Sequence, residues 1–168
     1  SRVISEKEKK ITAFHEAGHA VLFHLLPDVG PVYTVSIIPT GAGAAGYTMP
    51  LPERDDMFNT KGKMLQDIVV SLGGRVAEAL FLGDISVGAS NDIDRASDTA
   101  RDMVARFGMS KRLGTISYLS DDEVFIGGSY GKTRSYSEQV AGQIDEEVKA
   151  VIDRAYDMAM ELLTTNRD

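Results

Sequence analysis

Residues 14–20 read FHEAGHA, placing two of the chain's three histidines four residues apart with a glutamate directly after the first. On an α-helix His15 and His19 share one face, with Cβ atoms about 5–6 Å apart. Two imidazoles at that separation both reach one zinc ion at roughly 2.1 Å per bond. Glu16 then lies about 100° further round the helix, beside the metal, where it is able to take a proton from water. Such a pair constrains the fold twice: its segment must be helical, and a third ligand must arrive from elsewhere in the chain. The flanking residues meet the first demand. Ser5 and Glu8 form a capping box, Ile11, Phe14, Ala17, Val21, Leu22 and Leu25 recur at helical spacing, and Pro27 and Gly30 stop the run. The competing reading is two ordinary helix residues and a solvated glutamate, but a chance H-E-x-x-H in a chain this short is rare.

The third ligand is narrowed by what the chain lacks. It has no cysteine, which removes thiolate zinc sites, iron–sulfur clusters, cysteine nucleophiles and disulfides together. A metzincin would carry a histidine at position 25, where this chain has Leu25. His24 falls about 140° round the helix from His19 and points away, so it reads as a structural or surface residue. A carboxylate remains. Glu78, in GGRVAEAL, matches the glutamate on a later helix that thermolysin-like sites use. Asp92, in GASND, stands at the mouth of another helix, where Ser90 and Asp92 also read as plain N-cap residues. Asp94 and Asp98 read as surface charges. Spacing alone leaves Glu78 and Asp92 both open.

The rest of the chain predicts a mainly α domain. VYTVSIIP and GYTMPLP read as a small sheet, with Pro50 and Pro52 marking the second segment as an edge or a strand that ends quickly. Thr60 caps a helix to about Leu82 with Leu65, Ile68, Val69, Leu72, Val76 and Leu80 on one stripe. A third helix from Ser90 or Asn91 buries Ile93, Ala96, Ala100, Met103 and Phe107 and ends at Gly108. TISYL and VFIGG suggest a hairpin across Asp121-Asp122. Ser135 with Glu138 is expected to cap the final helix, with Val140, Ile144, Val148, Ile152, Ala155, Ala159 and Leu162 on its inner face. Ala17, Gly18, Ala20 and the Gly73-Gly74 pair suggest close approach of neighbouring elements, since a mid-helix glycine costs about 1 kcal/mol relative to alanine. At 168 residues, 43% hydrophobic and 26% charged, the chain suits one globular domain over 1–168.

Two glycine-rich runs are decoys. GAGAAG at 41–46 matches G-x-G-x-x-G, but YTMPLP follows where a helix N-terminus should face a pyrophosphate. GGSYGKT at 127–133 fails as a phosphate loop because Ile126 stands where its first glycine is required. A net charge of −7 argues against nucleic acid as a partner. No apolar run approaches the roughly 20 residues that span a bilayer, and no signal-peptide pattern opens the chain. Ser1 in place of Met suggests a processed or excised piece, soluble itself, with any membrane anchor outside these residues.

The stretches TAFHEAGHA, PVYTVSIIP, GYTMPLP, LGGRVAEALFLGD, VGASNDIDRASDTAR, FGMSKRLG and YSEQVAGQIDEEV together resemble the peptidase domain of the FtsH family of membrane-anchored, ATP-dependent zinc proteases, over essentially the full length. The resemblance implies a single helical metallopeptidase domain with a small β element near the active site. It implies one Zn2+ held by His15, His19 and Asp92, with Glu16 as the catalytic base and Glu78 close by without ligating. Arg75 either pairs with Glu78 or faces solvent. An extended polypeptide substrate is expected to add to the edge strand at Gly46, Tyr47 and Thr48, the alternative being an edge merely protected by its prolines. ATP would act only through an ATPase module upstream of Ser1. The whole protein would be a homo-hexamer anchored in a membrane, with this domain on the cytoplasmic side if bacterial. Gly128, Gly62 and Val87 depart from the family's usual residues, and none touches the expected site. The rival readings are a helical scaffold with structural zinc, which Glu16 argues against, and a nucleotide-binding protein, which both failed loops argue against.

Overall fold

A computed structural model describes residues 3–38, 46–50, 58–119, 123–126, 129–132 and 135–168. The GAGAAG run before Gly46, Pro52, the Asp121-Asp122 turn, Gly128 and the end of the GGSYGKT run lie outside them. Helix α1 spans Glu6–Leu25, and the Ser5 hydroxyl accepts from the Glu8 amide at 3.1 Å as the capping box requires. Strands β1 (Val32–Ser36) and β2 (Tyr47–Pro50) pair antiparallel, Val35 opposite Thr48 and Ser36 opposite Tyr47, with a bulge between Val32 and Thr34. Helix α2 (Lys61–Ala77) is capped by Thr60 and runs on through a wide π turn, Glu78–Leu82, to left-handed Gly83. A 3₁₀ turn at Val87–Ala89 leads into α3 (Ser90–Arg101), which also finishes in a π turn, Asp102–Arg106. Strands β3 (Glu123–Ile126) and β4 (Ser129–Lys132) form a hairpin, and α4 spans Glu138–Thr165. The mainly α architecture with minor β elements is the one the sequence predicts.

The core lies between α1, α2, α3 and α4. Leu22, Ile68, Val69, Val76, Ala155 and Ala159 are fully enclosed there. A smaller cluster of Val104, Ala105, Leu113 and Ile144 sits under Tyr118 and Tyr136. Three expectations fail for identifiable reasons. Phe107 is 51% exposed because the π turn at Asp102–Arg106 adds a residue to the last turn and rotates the stripe out of phase. TISYL is no strand: the Tyr118 and Leu119 amides both bond the Ala105 carbonyl at the end of that turn, so they are engaged before any ladder forms. The hairpin pairs VFI with the residues after it instead. The last helix is capped by Ser137, whose hydroxyl accepts from the Val140 amide, and not by Ser135. Tyr136, edge-on to Tyr118 at 6.0 Å, packs on the small cluster and keeps the chain before Ser137 out of the helix.

Helix α1 packs closely on α2. A Cβ added at Gly18 would sit 2.4 Å from the Gly73 carbonyl oxygen, and one at Gly74 would sit 2.3 Å from His15 Nε2. Backbone meets backbone here, as the small residues suggested. Gly142 in α4 and Gly62 in α2 face open space. Gly18→Ala therefore collides with main chain and should cost about 1–3 kcal/mol, lowering the melting temperature by roughly 2–10 °C. Gly142→Ala should move it the other way, by up to about 1 kcal/mol. Thermal melts of the two variants give the comparison, and a stabilised Gly18→Ala would contradict this packing.

Candidate metal centre

One turn of α1 carries His15 and His19 toward α2, their ring centroids 4.8 Å apart and their planes at 74°. Both are buried. Each ring has its far nitrogen occupied. His19 Nδ1 donates to the Val70 carbonyl at 2.6 Å, and His15 Nδ1 donates to Glu78 Oε2 at 2.7 Å. With the Nδ1 atoms protonated, the neutral imidazoles present bare Nε2 lone pairs. Those two atoms stand 3.1 Å apart.

Asp92 completes the arrangement from 77 residues away in sequence. Its Oδ2 lies 3.0 Å from His15 Nε2 and 3.2 Å from His19 Nε2. Three acceptor atoms therefore face one another in a triangle, and a positive charge must sit among them. A tetrahedron of ligands about 2.1 Å from zinc has edges of roughly 3.4 Å, so this triangle matches one of its faces after slight expansion. A proton on His15 also answers to that demand. Burial works to lower the His15 pKa, but bonding to Asp92 and Glu78 and the charges of Asp92 and Glu16 outweigh it, and the value rises above 6.5. For Asp92 burial pushes upward, yet bonds and charge from both histidines prevail and hold it far below the usual carboxylate range. Its other oxygen, Oδ1, accepts from Arg95 Nη2 at 2.8 Å.

The remaining expected residues find distinct places. Glu16 is buried with Oε1 4.0 Å from His15 Nε2, and its ligand atoms fall within 4.8 Å of both imidazoles. Asp92 is nearer, so distance favours it as third partner to the pair. Glu78 is 1% exposed and lies on the opposite side of the His15 ring, its Oε1 accepting from the Ser86 amide at 2.8 Å. Arg75 neither faces open solvent nor supplies that contact: it donates to the Ser86 carbonyl at 2.8 Å, tethering the loop that holds Glu78. Asp92 does not cap α3, whose N-cap position is Ala89. His24, Asp94 and Asp98 are exposed. Gly46, Tyr47 and Thr48 line one wall of a cleft of about 800 Å³ over the triangle, and Asn91 and Arg95 line another. Sequence reasoning missed the Val70 carbonyl, the Ser86 tether and a bond from Thr48 to Glu16.

The model of peptidase family M41 matches residues 2–168. The ATP-dependent zinc metalloprotease FtsH 1 of Thermoanaerobacter sp. (strain X514) is 54% identical over 100% of this chain and 28% of its own length. The FtsH metalloprotease of Caldicellulosiruptor bescii is 52% identical over 100% of the chain and 27% of its own length, and that of Thermotoga maritima 45% identical over 99% and 28%. The chain thus spans little more than a quarter of these curated relatives. With a family match over nearly every residue and relatives about half identical throughout, the chain belongs to peptidase family M41.

Proposed function

We propose that residues 1–168 form one zinc metalloendopeptidase domain that hydrolyses peptide bonds in unfolded or membrane polypeptides. The observation that carries this reading is the triangle of His15 Nε2, His19 Nε2 and Asp92 Oδ2 with the Glu16 carboxylate beside it. Those three residues would hold one Zn2+, whose chemistry when bound is to acidify water and polarise a carbonyl. Glu16 accepts the attacking water's proton at Oε1 and delivers it to the leaving amine. Glu78 keeps His15 in the tautomer and orientation that leave Nε2 free. Strand β2 pairs with β1 along one side, and its Gly46–Thr48 segment borders the cleft, which supports addition of an extended substrate there through main-chain hydrogen bonds.

The relatives' names support a place within a larger ATP-dependent protease. On this reading ATP is used by a separate module outside these residues, the whole protein is a membrane-anchored homo-hexamer, and this domain lies on the cytoplasmic side if bacterial. No described helix is long and apolar enough to cross a membrane, which fits an anchor located elsewhere. On this reading the net charge of −7 argues against nucleic acid as a partner.

Zinc content and degradation of casein and a short peptide test the assignment. Glu16→Gln should retain zinc and lose roughly 10²–10⁴ in rate. Asp92→Ala should lose zinc, whereas Glu78→Ala should weaken binding or activity by about 10–100-fold. Zinc lost only in Glu78→Ala would reverse the ligand assignment.

Acidity gives a second test. Because the His15 pKa is raised, its proton competes with metal from above pH 6.5, and zinc affinity should fall by roughly tenfold per pH unit below the raised value. In metal-free protein the same shift stabilises below His15's unfolded value and is lost as pH climbs through the folded one. Asp92, depressed, contributes above its unfolded value and loses this only as pH falls through the folded one. Zinc should thus raise the melting temperature most at alkaline pH, and a pH-independent affinity from chelator competition would contradict the site.

A further inference from the structure

Glu16 does not hold its own side chain in place. A glutamate on a helix has three rotatable bonds, and nothing on α1 selects the one arrangement that turns a free oxygen toward the histidines. The contact that does so comes from β2. Thr48 Oγ1 lies 2.5 Å from Glu16 Oε2 and 3.1 Å from the Glu16 carbonyl oxygen. A hydroxyl has one proton, and the shorter contact to the charged carboxylate takes it. That leaves Oε1, 4.0 Å from His15 Nε2, as the unoccupied acceptor on the side of the triangle.

Thr48 is well suited to this task. Its β-branched side chain is stiff about χ1, and its backbone is fixed opposite Val35. Two residues earlier, Gly46 is pressed so closely on α1 and β1 that a Cβ would lie 2.6 Å from Thr12 Cγ2 and 2.5 Å from the Ser36 carbonyl oxygen. The strand cannot drift without breaking these contacts. We propose that Thr48 is the positioning residue for Glu16: its hydroxyl fixes the carboxylate so that Oε1 alone faces the reacting water, and it makes alignment of the base depend on the strand that borders the substrate cleft. This inference rests on the reading of Glu16 as the base.

The test uses the zinc-loaded protein and compares Thr48→Val, which keeps the shape but removes the hydroxyl, with Thr48→Ser, which keeps the hydroxyl, and with Glu16→Gln. For a short unstructured peptide Thr48→Val should lower kcat roughly 10- to 100-fold, the worth of a hydrogen bond to a charged group, with KM little changed. Thr48→Ser should stay within about threefold of wild type. Zinc content and melting temperature should match wild type in both. Calorimetry with a peptide hydroxamate, which hydrogen-bonds the base carboxylate, should show weaker binding to the valine variant and recovery in the serine variant. A wild-type kcat in Thr48→Val, a raised KM with kcat unchanged, or a serine variant as poor as valine would each overturn the proposal while leaving Glu16 as the base. An active Glu16→Gln would remove the base assignment itself, and this inference with it. If Thr48→Val fails to fold, the serine variant's kcat and hydroxamate affinity decide, wild-type values supporting the role and impaired ones rejecting it.

Discussion

Helix α1 lies so close to α2 that no side chain separates their main chains at Gly18 and Gly73, and the placement of both histidines against α2 depends on that proximity. It lets the ring of His19 reach a carbonyl inside α2, an acceptor that a bulkier interface would put out of range. Gly74 leaves the volume that the His15 imidazole fills. One turn beyond Gly74, at the C-terminal end of α2, Glu78 meets the far side of that ring. Each glycine in the middle of α2 weakens the helix by about 1 kcal/mol, and enclosure of Leu22, Ile68 and Val76 in the adjoining core offsets this. A single Leu or Ile side chain so enclosed contributes about 1.5–3 kcal/mol.

The second constraint is electrostatic. Once Val70 and Glu78 have fixed the tautomers, two lone pairs point at a largely buried carboxylate. Glu16 and Glu78 place further carboxylates around this spot, and among the described residues Arg95 pairs with the outer oxygen of Asp92. Arg95 is 72% exposed, so water screens much of its charge. The site is thereby left short of positive charge at the one point where the three acceptors meet.

Much of this was legible in the chain. Ser5, Thr60 and Gly108 announced helix boundaries because capping is local, involving residues within one turn of each other. The His15, Glu16 and His19 cluster was legible for the same reason, and the Ser-Asn-Asp stretch once a family resemblance was seen. What failed involved a phase or a choice between equals. A helical wheel assumes 3.6 residues per turn throughout, so the π turn that exposes Phe107 was invisible to it. Ser135 and Ser137 are both fair caps, and the packing of Tyr136 decides between them. The partners of Thr48 and Arg75 sit 32 and 11 residues away, and no periodicity encodes such pairs.

The wide separation of Asp92 from the histidines in sequence has a thermodynamic corollary. On the proposed assignment, an unfolded chain would offer a cation the local His15–His19 pair, and the Asp92 donor would join when α3 docks. Metal would then bind the assembled state far better than the disordered one, and its concentration would become a variable of the folding equilibrium. Free ion at a hundred times its dissociation constant deepens the native well by about 2.7 kcal/mol, so the ionic composition of the surroundings helps set how long the assembled state lasts.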